Sequence, residues 1–180
     1  MRHLPLLLCI TVVSLAACDR QASPAGGSTN ASTGASPTEA ASQVASAAIS
    51  GVISDPASGA QCNGQDVAIT RDGFDLVLNG DCGAVVITAS DGAVNVEHAT
   101  SLRVEGSQVT VLNSRVGDVD VRGADNTLNL TEVDALEISG DRNTVLARRI
   151  DRVTFSGTSN VVNPDNTPAL EDTGTGNRVM

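Results

Sequence analysis

Tryptophan, tyrosine and lysine are missing from this chain, and only two phenylalanines stand among its 180 residues. A rounded core of this size normally draws on several large rings, each burying roughly 150–250 Å². Without them the interior must be filled by Val, Ile, Leu and Ala, which suits thin repeated layers. Long hydrophobic runs are missing too: the stretch Leu4 to Leu15 is too short to cross a bilayer as a stable helix. Histidine is scarce. Beyond the N-terminal His3 there is only His98, and a general base or a metal ligand needs partners that its neighbourhood does not supply, so it reads as a surface structural residue. All eleven basic residues are Arg, set against 21 Asp and Glu, for a formal net charge of −10. Such a surface repels phosphate backbones, and no nucleic-acid partner is expected.

What is there begins with a targeting pattern. Met1-Arg2-His3 is a short positive segment, Leu4 to Leu15 is apolar, and Leu15-Ala16-Ala17-Cys18 closes it. Small residues directly before a Cys resemble the lipobox of bacterial lipoprotein signals. That resemblance implies a signal peptide over residues 1–17, cleavage before Cys18, and fatty acylation of its sulfur and its new amino group. Each buried CH₂ contributes about 0.8 kcal/mol, so several chains anchor firmly. The expected location is the cell envelope, facing the periplasm; Asp19 favours the inner over the outer membrane. The competing reading is an ordinary secretory signal cut after the small residues. Residues 18–49 then run through Ser, Ala, Thr, Gly and Pro with little that is large. Such a segment buries too little apolar surface to offset its ordering entropy, and it reads as a disordered tether.

Cys9 leaves with the signal and Cys18 carries lipid. Cys62 and Cys82 remain as one pair in an oxidising compartment, where a disulfide is the simplest outcome. No third thiol or nearby His completes a zinc set, so no metal is assigned.

Self-similarity is the strongest signal. An apolar–x–apolar triplet opens at Val67, Val85, Leu102, Val119, Leu136 and Val153, and again in register at Leu170. The first step is 18 residues and every later one is 17. Four residues after each opening stand Gly106, Gly123, Gly140, Gly157 and Gly174. Seven residues after it stand Asn126, Asn143, Asn160 and Asn177. Nine after it stand Leu76, Val94, Val111, Leu128, Val145, Val162 and Val179. Earlier coils depart from this: Arg71 and Ala89 replace the Gly, while Phe74, Gly92 and Val109 replace the Asn.

Short alternating runs mean strands with one buried face. A unit of 17 residues cannot bury such a face alone, but identical units stacked at about 4.8 Å share one continuous core. The fold expected is therefore all-β: a parallel β-helix or β-solenoid of about 17-residue coils, right-handed, over residues 67–180, with an N-terminal cap at 50–66. A β-sandwich of hairpins is the alternative, but it would not need a fixed register. The recurring Gly marks a corner that needs either a positive φ or close backbone approach. The Asn row reads as a structural ladder bonding across layers. Open ends of a solenoid are edge hazards. The cysteine bridge is placed to pin the cap over one end, and Asn163-Pro164-Asp165-Asn166-Thr167-Pro168 to help close the other.

Together these features resemble the DUF3060 family. The residues that carry the resemblance are Cys62 to Ile69, Asn79-Gly80-Asp81-Cys82-Gly83, the G-x-x-N-T-V units, and the ending Pro168 to Asn177. It spans about residues 60–180 and implies a secreted or lipid-anchored domain with no established activity and no catalytic residues to carry over.

Candidate chemistry is thin. Asp134 and Asp151 occupy equivalent places one coil apart, as do Asp120 and Glu137; stacked carboxylates suit Ca²⁺, but they equally suit a solvated face paired with Arg122, Arg148, Arg149 and Arg152. The calcium-binding nonapeptide pattern is absent. Paired carboxylates on a β-helix also suit glycan cleavage, yet the aromatic platforms usual at sugar sites are missing. No cofactor is expected. The reading is a membrane-anchored envelope lipoprotein with a non-enzymatic structural or binding solenoid, meeting an envelope protein or glycan. The alternative is a carbohydrate-active enzyme or a calcium-dependent glycan-binding module.

Overall fold

A computed structural model describes residues 51–180. The expected signal peptide, the expected lipidation at Cys18 and the expected tether lie outside the described residues. Eleven strands run β1 (Val52–Ser54), β2 (Ala60–Gln61), β3 (Asp66–Ile69), β4 (Asp75–Ile87), β5 (Ala93–Val104), β6 (Thr110–Val121), β7 (Thr127–Ile138), β8 (Thr144–Phe155), β9 (Val161–Pro164), β10 (Ala169–Asp172) and β11 (Arg178–Val179). Every pairing is parallel. The main path is β1-β3-β4-β5-β6-β7-β8-β9-β11, with β2 on β4 and β10 on β8. Sequence neighbours that pair in parallel without a helical crossover must come from a chain that winds back on itself. The molecule is an all-β solenoid of about seven coils.

The register is the one the triplets dictate. Val67, Val85, Leu102, Val119, Leu136 and Val153 are successive partners, and Leu170 follows on Val153. Ile69, Ile87, Val104, Val121, Ile138 and Phe155 form a second such column. All but Leu170 are buried, which places the core inside the coil. Each long strand bends twice, so a coil has three straight segments. In β7 these are Thr127–Leu130, Glu132–Val133 and Ala135–Ile138. Every segment carries outward side chains on its own face of the solenoid.

The corner between coils explains the Gly and Asn rows. The Gly column does not sit at positive φ. A Cβ on Gly123, Gly140 or Gly157 would fall 1.7–1.9 Å from the carbonyl oxygen of the Gly one coil earlier, so close backbone approach is what demands glycine there. The left-handed conformation falls on the residue just before the Asn position: Asp91, Gln108, Asp125, Arg142 and Ser159 have φ of 57°, 58°, 58°, 54° and 60°. The Asn side chains bridge layers. Asn143 Nδ2 donates to Gly123 O at 2.9 Å and its Oδ1 accepts the Asn126 N–H at 3.0 Å. Asn126 and Asn160 repeat the pattern, and Asn177 ends it. In the early coils, where Asn is replaced, the ring of Phe74 fills the space a side chain on Gly92 would take.

Side chains satisfy backbone groups near both ends. The residues expected as a cap carry strands of their own, with Ile53 stacked on Val67. Asp55 then accepts the Thr70 N–H and hydroxyl, both at 2.7 Å, and the Arg71 N–H at 3.2 Å. Cys62 and Cys82 form the disulfide, both buried, with Cα atoms 4.8 Å apart. At the far end, Asn166 accepts the Ile150 N–H at 2.9 Å and donates to Ile150 O at 2.8 Å, so one amide stands in for a missing strand.

Candidate functional site

The last segments of β4 to β8 bear two outward columns. One reads Ala84, Ser101, Asp118, Ala135 and Arg152; the other reads Val86, Arg103, Asp120, Glu137 and Thr154. The first column is mostly small, and the taller side chains beside it wall an open groove of about 540 Å³. Its electrostatics centre on Asp120. That carboxylate accepts from Arg103 Nε at 3.2 Å and from Arg122 at 2.8–2.9 Å. The bond to Asp120 holds the Arg122 guanidinium above its usual proton affinity. Among the described residues Asp118, Glu137 and Arg152 take part in no such pair, which leaves both signs of charge free along one groove.

The neighbouring face carries a charged column of Asp81, His98, Arg115, Glu132 and Arg149. Arg115 meets Glu132 at 2.7 Å, and this pair pulls the Glu132 carboxyl below its ordinary range. Arg149 turns to Asp151 at 2.9 Å. Glu132, Asp134, Arg149 and Asp151 line a smaller hollow of about 220 Å³. His98 Nδ1 lies 3.4 Å from Asp81 Oδ1 in the open, with no further partner that would orient it for catalysis.

The stacked carboxylates singled out above do lie one coil apart, but Arg side chains pair with two of them. Asp120 faces two of them and Asp151 one, while Arg148 and Arg152 make none of the pairs expected of them. Among the described residues no three His, Cys, Asp or Glu side chains gather closely enough to hold a metal ion. The Asn126, Asn143 and Asn160 amides are buried and fully engaged by backbone, so the row is structural scaffolding.

Two further features escape the repeat pattern. Asn113 occupies a core position between Val96 and Leu130; it donates to Val96 O at 3.1 Å, and its buried Oδ1 has no partner. A polar residue at an apolar step of the column was its only signature. Asp125 and Arg142 pair at 2.7 Å across successive left-handed corners, lowering the Asp125 pKa. Their 17-residue separation was the clue.

Residues 121–176 match the family model DUF3060, described as a protein of unknown function. Over these coils the chain is similar to the DUF3060 family. The DUF3060 match covers the coils in which both the Gly and the Asn columns are complete. The earlier coils, where Arg71, Ala89, Phe74 and Val109 break those columns, fall outside it, as does the cysteine-bearing segment. No curated protein and no solved structure matches the chain.

Proposed function

We propose that this chain is an envelope lipoprotein, anchored through Cys18 and facing the periplasm, whose solenoid is a non-enzymatic binding scaffold. The groove supports the reading best. Five successive coils hold its outward side chains in straight columns on a rigid ladder, and Asp118, Glu137 and Arg152 keep unspent charge along it. Fixed charges of both signs in an open trough suit an extended polar segment of an envelope protein.

The test places a photoreactive side chain at Ser101, in the groove, and at Gln108, on a corner, in the full chain made in a bacterial envelope. A discrete protein adduct from position 101 and none from 108 is the expected result. Equal or absent adducts would remove the groove from the argument. For the anchor, globomycin should arrest processing, and Cys18→Ser should release the protein from membranes; normal processing in globomycin would defeat the lipoprotein assignment.

A further inference from the structure

The first segments of the coils form a face unlike the other two. Its outer column on β5 to β9 reads Ala93, Thr110, Thr127, Thr144 and Val161. The column beside it alternates between apolar and amide side chains from coil to coil: Val77, Leu112, Leu146 and Met180 take the odd places, and Asn95, Asn129 and Asn163 the even ones. Met180 joins the line because its N–H donates to Val162 O, beside Asn163.

Nothing in the core asks for this alternation. All seven positions point outward, and Leu and Asn exchange there without any change of register. Val77, Leu112 and Leu146 are 40–44% exposed and Met180 62% exposed, so most of the exposed large apolar side chains among the described residues lie on one line. Solvent-facing apolar residues gathered in this way mark contact surfaces. The two columns are uncharged from Ala93 to Asn163, with Asp75 at one end of the Thr column and Arg178 at the other, on a chain that carries a net charge of −10. The amides of Asn95, Asn129 and Asn163 and the hydroxyls of Thr110, Thr127 and Thr144 engage no other described side chain or backbone group, in contrast to the Asn ladder inside. The surface thus offers apolar contacts and free hydrogen-bonding groups, each repeating every two coils, or about 10 Å at the strand spacing.

We propose that this face binds a linear, uncharged β-1,4-linked polysaccharide lying along the solenoid axis. The inference rests on the scaffold reading above but uses a different face. An extended β-1,4-linked chain turns over at each sugar, so it too presents the same edge once per disaccharide, over nearly the same distance. Leu and Val then meet the C–H faces of alternate sugars, the Asn amides meet hydroxyls between them, and the Thr column lines the flank. A polyanion would be repelled by the acidic body, and a polycation would prefer the carboxylates of the other faces. With no aromatic platform each step is weak, and affinity must come from many steps in register. Seven coils span about 30 Å, the length of a hexasaccharide.

The experiment titrates the full chain in mild detergent with cello- and N-acetylchito-oligosaccharides of two to six sugars. Affinity should rise at least tenfold from the disaccharide to the hexasaccharide. The double variant Leu112→Asp/Leu146→Asp should lose at least tenfold for the hexasaccharide with an unchanged melting curve, because both side chains are outside the core. Glu137→Gln, in the groove, should bind as wild type. No binding of any of these sugars, or binding indifferent to the double variant, would overturn the proposal. So would a self-associating chain that the double variant renders monomeric without any sugar bound, since a second copy would then be the occupant. A Ser101 adduct obtained together with failure here would leave the groove reading standing.

Discussion

Replacing Asn143 with alanine should unfold this solenoid more readily than any surface change. The residue is completely buried. Its Oδ1 accepts the Asn126 N–H at 3.0 Å, and its Nδ2 donates to Gly123 O at 2.9 Å and to Asn160 Oδ1 at 3.1 Å. Alanine leaves the Asn126 N–H and the Gly123 carbonyl unpaired inside a closed corner. Each orphaned buried group costs about 1–3 kcal/mol, so the loss should be about 2–6 kcal/mol. That is a large share of a typical domain stability of about 5–15 kcal/mol. Asn177→Ala is the matched control: it ends the ladder, is partly exposed, and water can replace its bonds, so about 1 kcal/mol is expected there. Urea unfolding followed by far-UV circular dichroism is the assay, because a chain without Trp or Tyr offers little fluorescence. A loss below about 1 kcal/mol for Asn143→Ala, or equal losses for both variants, would refute the view that these amides carry the corners.

Gly140→Ala would set a Cβ 1.8 Å from Gly123 O and should cost about 3 kcal/mol or more as the layers part. Ser159→Gly, at φ 60°, should instead stabilise by up to about 1 kcal/mol; opposite signs in the same unfolding assay check the distinction. Cys62→Ser should lower stability by about 3 kcal/mol in oxidising buffer by releasing a loop that spans a sequence separation of 20, after which dithiothreitol should have no further effect on the variant. The Asp141 carboxyl is held below its ordinary 3.8 by the Thr158 hydroxyl and N–H. Its folded pKa lies below its unfolded one, so its contribution is present above pH about 4 and fades as pH falls through the folded value. Acid titration of wild type against Asp141→Asn should show the shallower loss below pH 4 in the variant.

The triplets made the fold legible because inward columns obey one rule, apolar or nothing, at a fixed interval. Leu102, Val119, Leu136 and Val153 had to coincide in space once their spacing was constant. The Gly row was legible as a necessity but not as a cause: spacing alone does not separate a positive φ from a crowded carbonyl, and only the stacked backbones do. The left-handed step itself left a mark only at Gly73 and Gly176, since Asp91, Gln108, Asp125, Arg142 and Ser159 in the same column share no side-chain chemistry. The groove was hidden for another reason. Its depth depends on where the coil bends, and bends are set by backbone turns that the 17-residue pattern does not encode. The carboxylate stacks were visible, and so were the Arg positions, Arg103 one coil before Asp120 in the same column and Arg122 and Arg149 two residues from their partners; which Arg turns to which carboxylate was not.

The same contrast bears on where function resides in such a molecule. An inward column is read by the core, and any regularity in it is explained by packing. Asn113 shows the price of a breach, a buried oxygen with no partner. An outward column is read only by solvent or by a partner, so regularity there has no structural explanation to absorb it. The charged columns of the second and third faces are irregular along the axis and neutralise themselves in part, as Arg115–Glu132 and Arg103–Asp120–Arg122 do. The alternating apolar and amide column on the first face is regular over every coil and neutralises nothing. A period of two coils imposed on a backbone whose own period is one coil is what the proposed β-1,4-linked ligand, repeating once per disaccharide, would match.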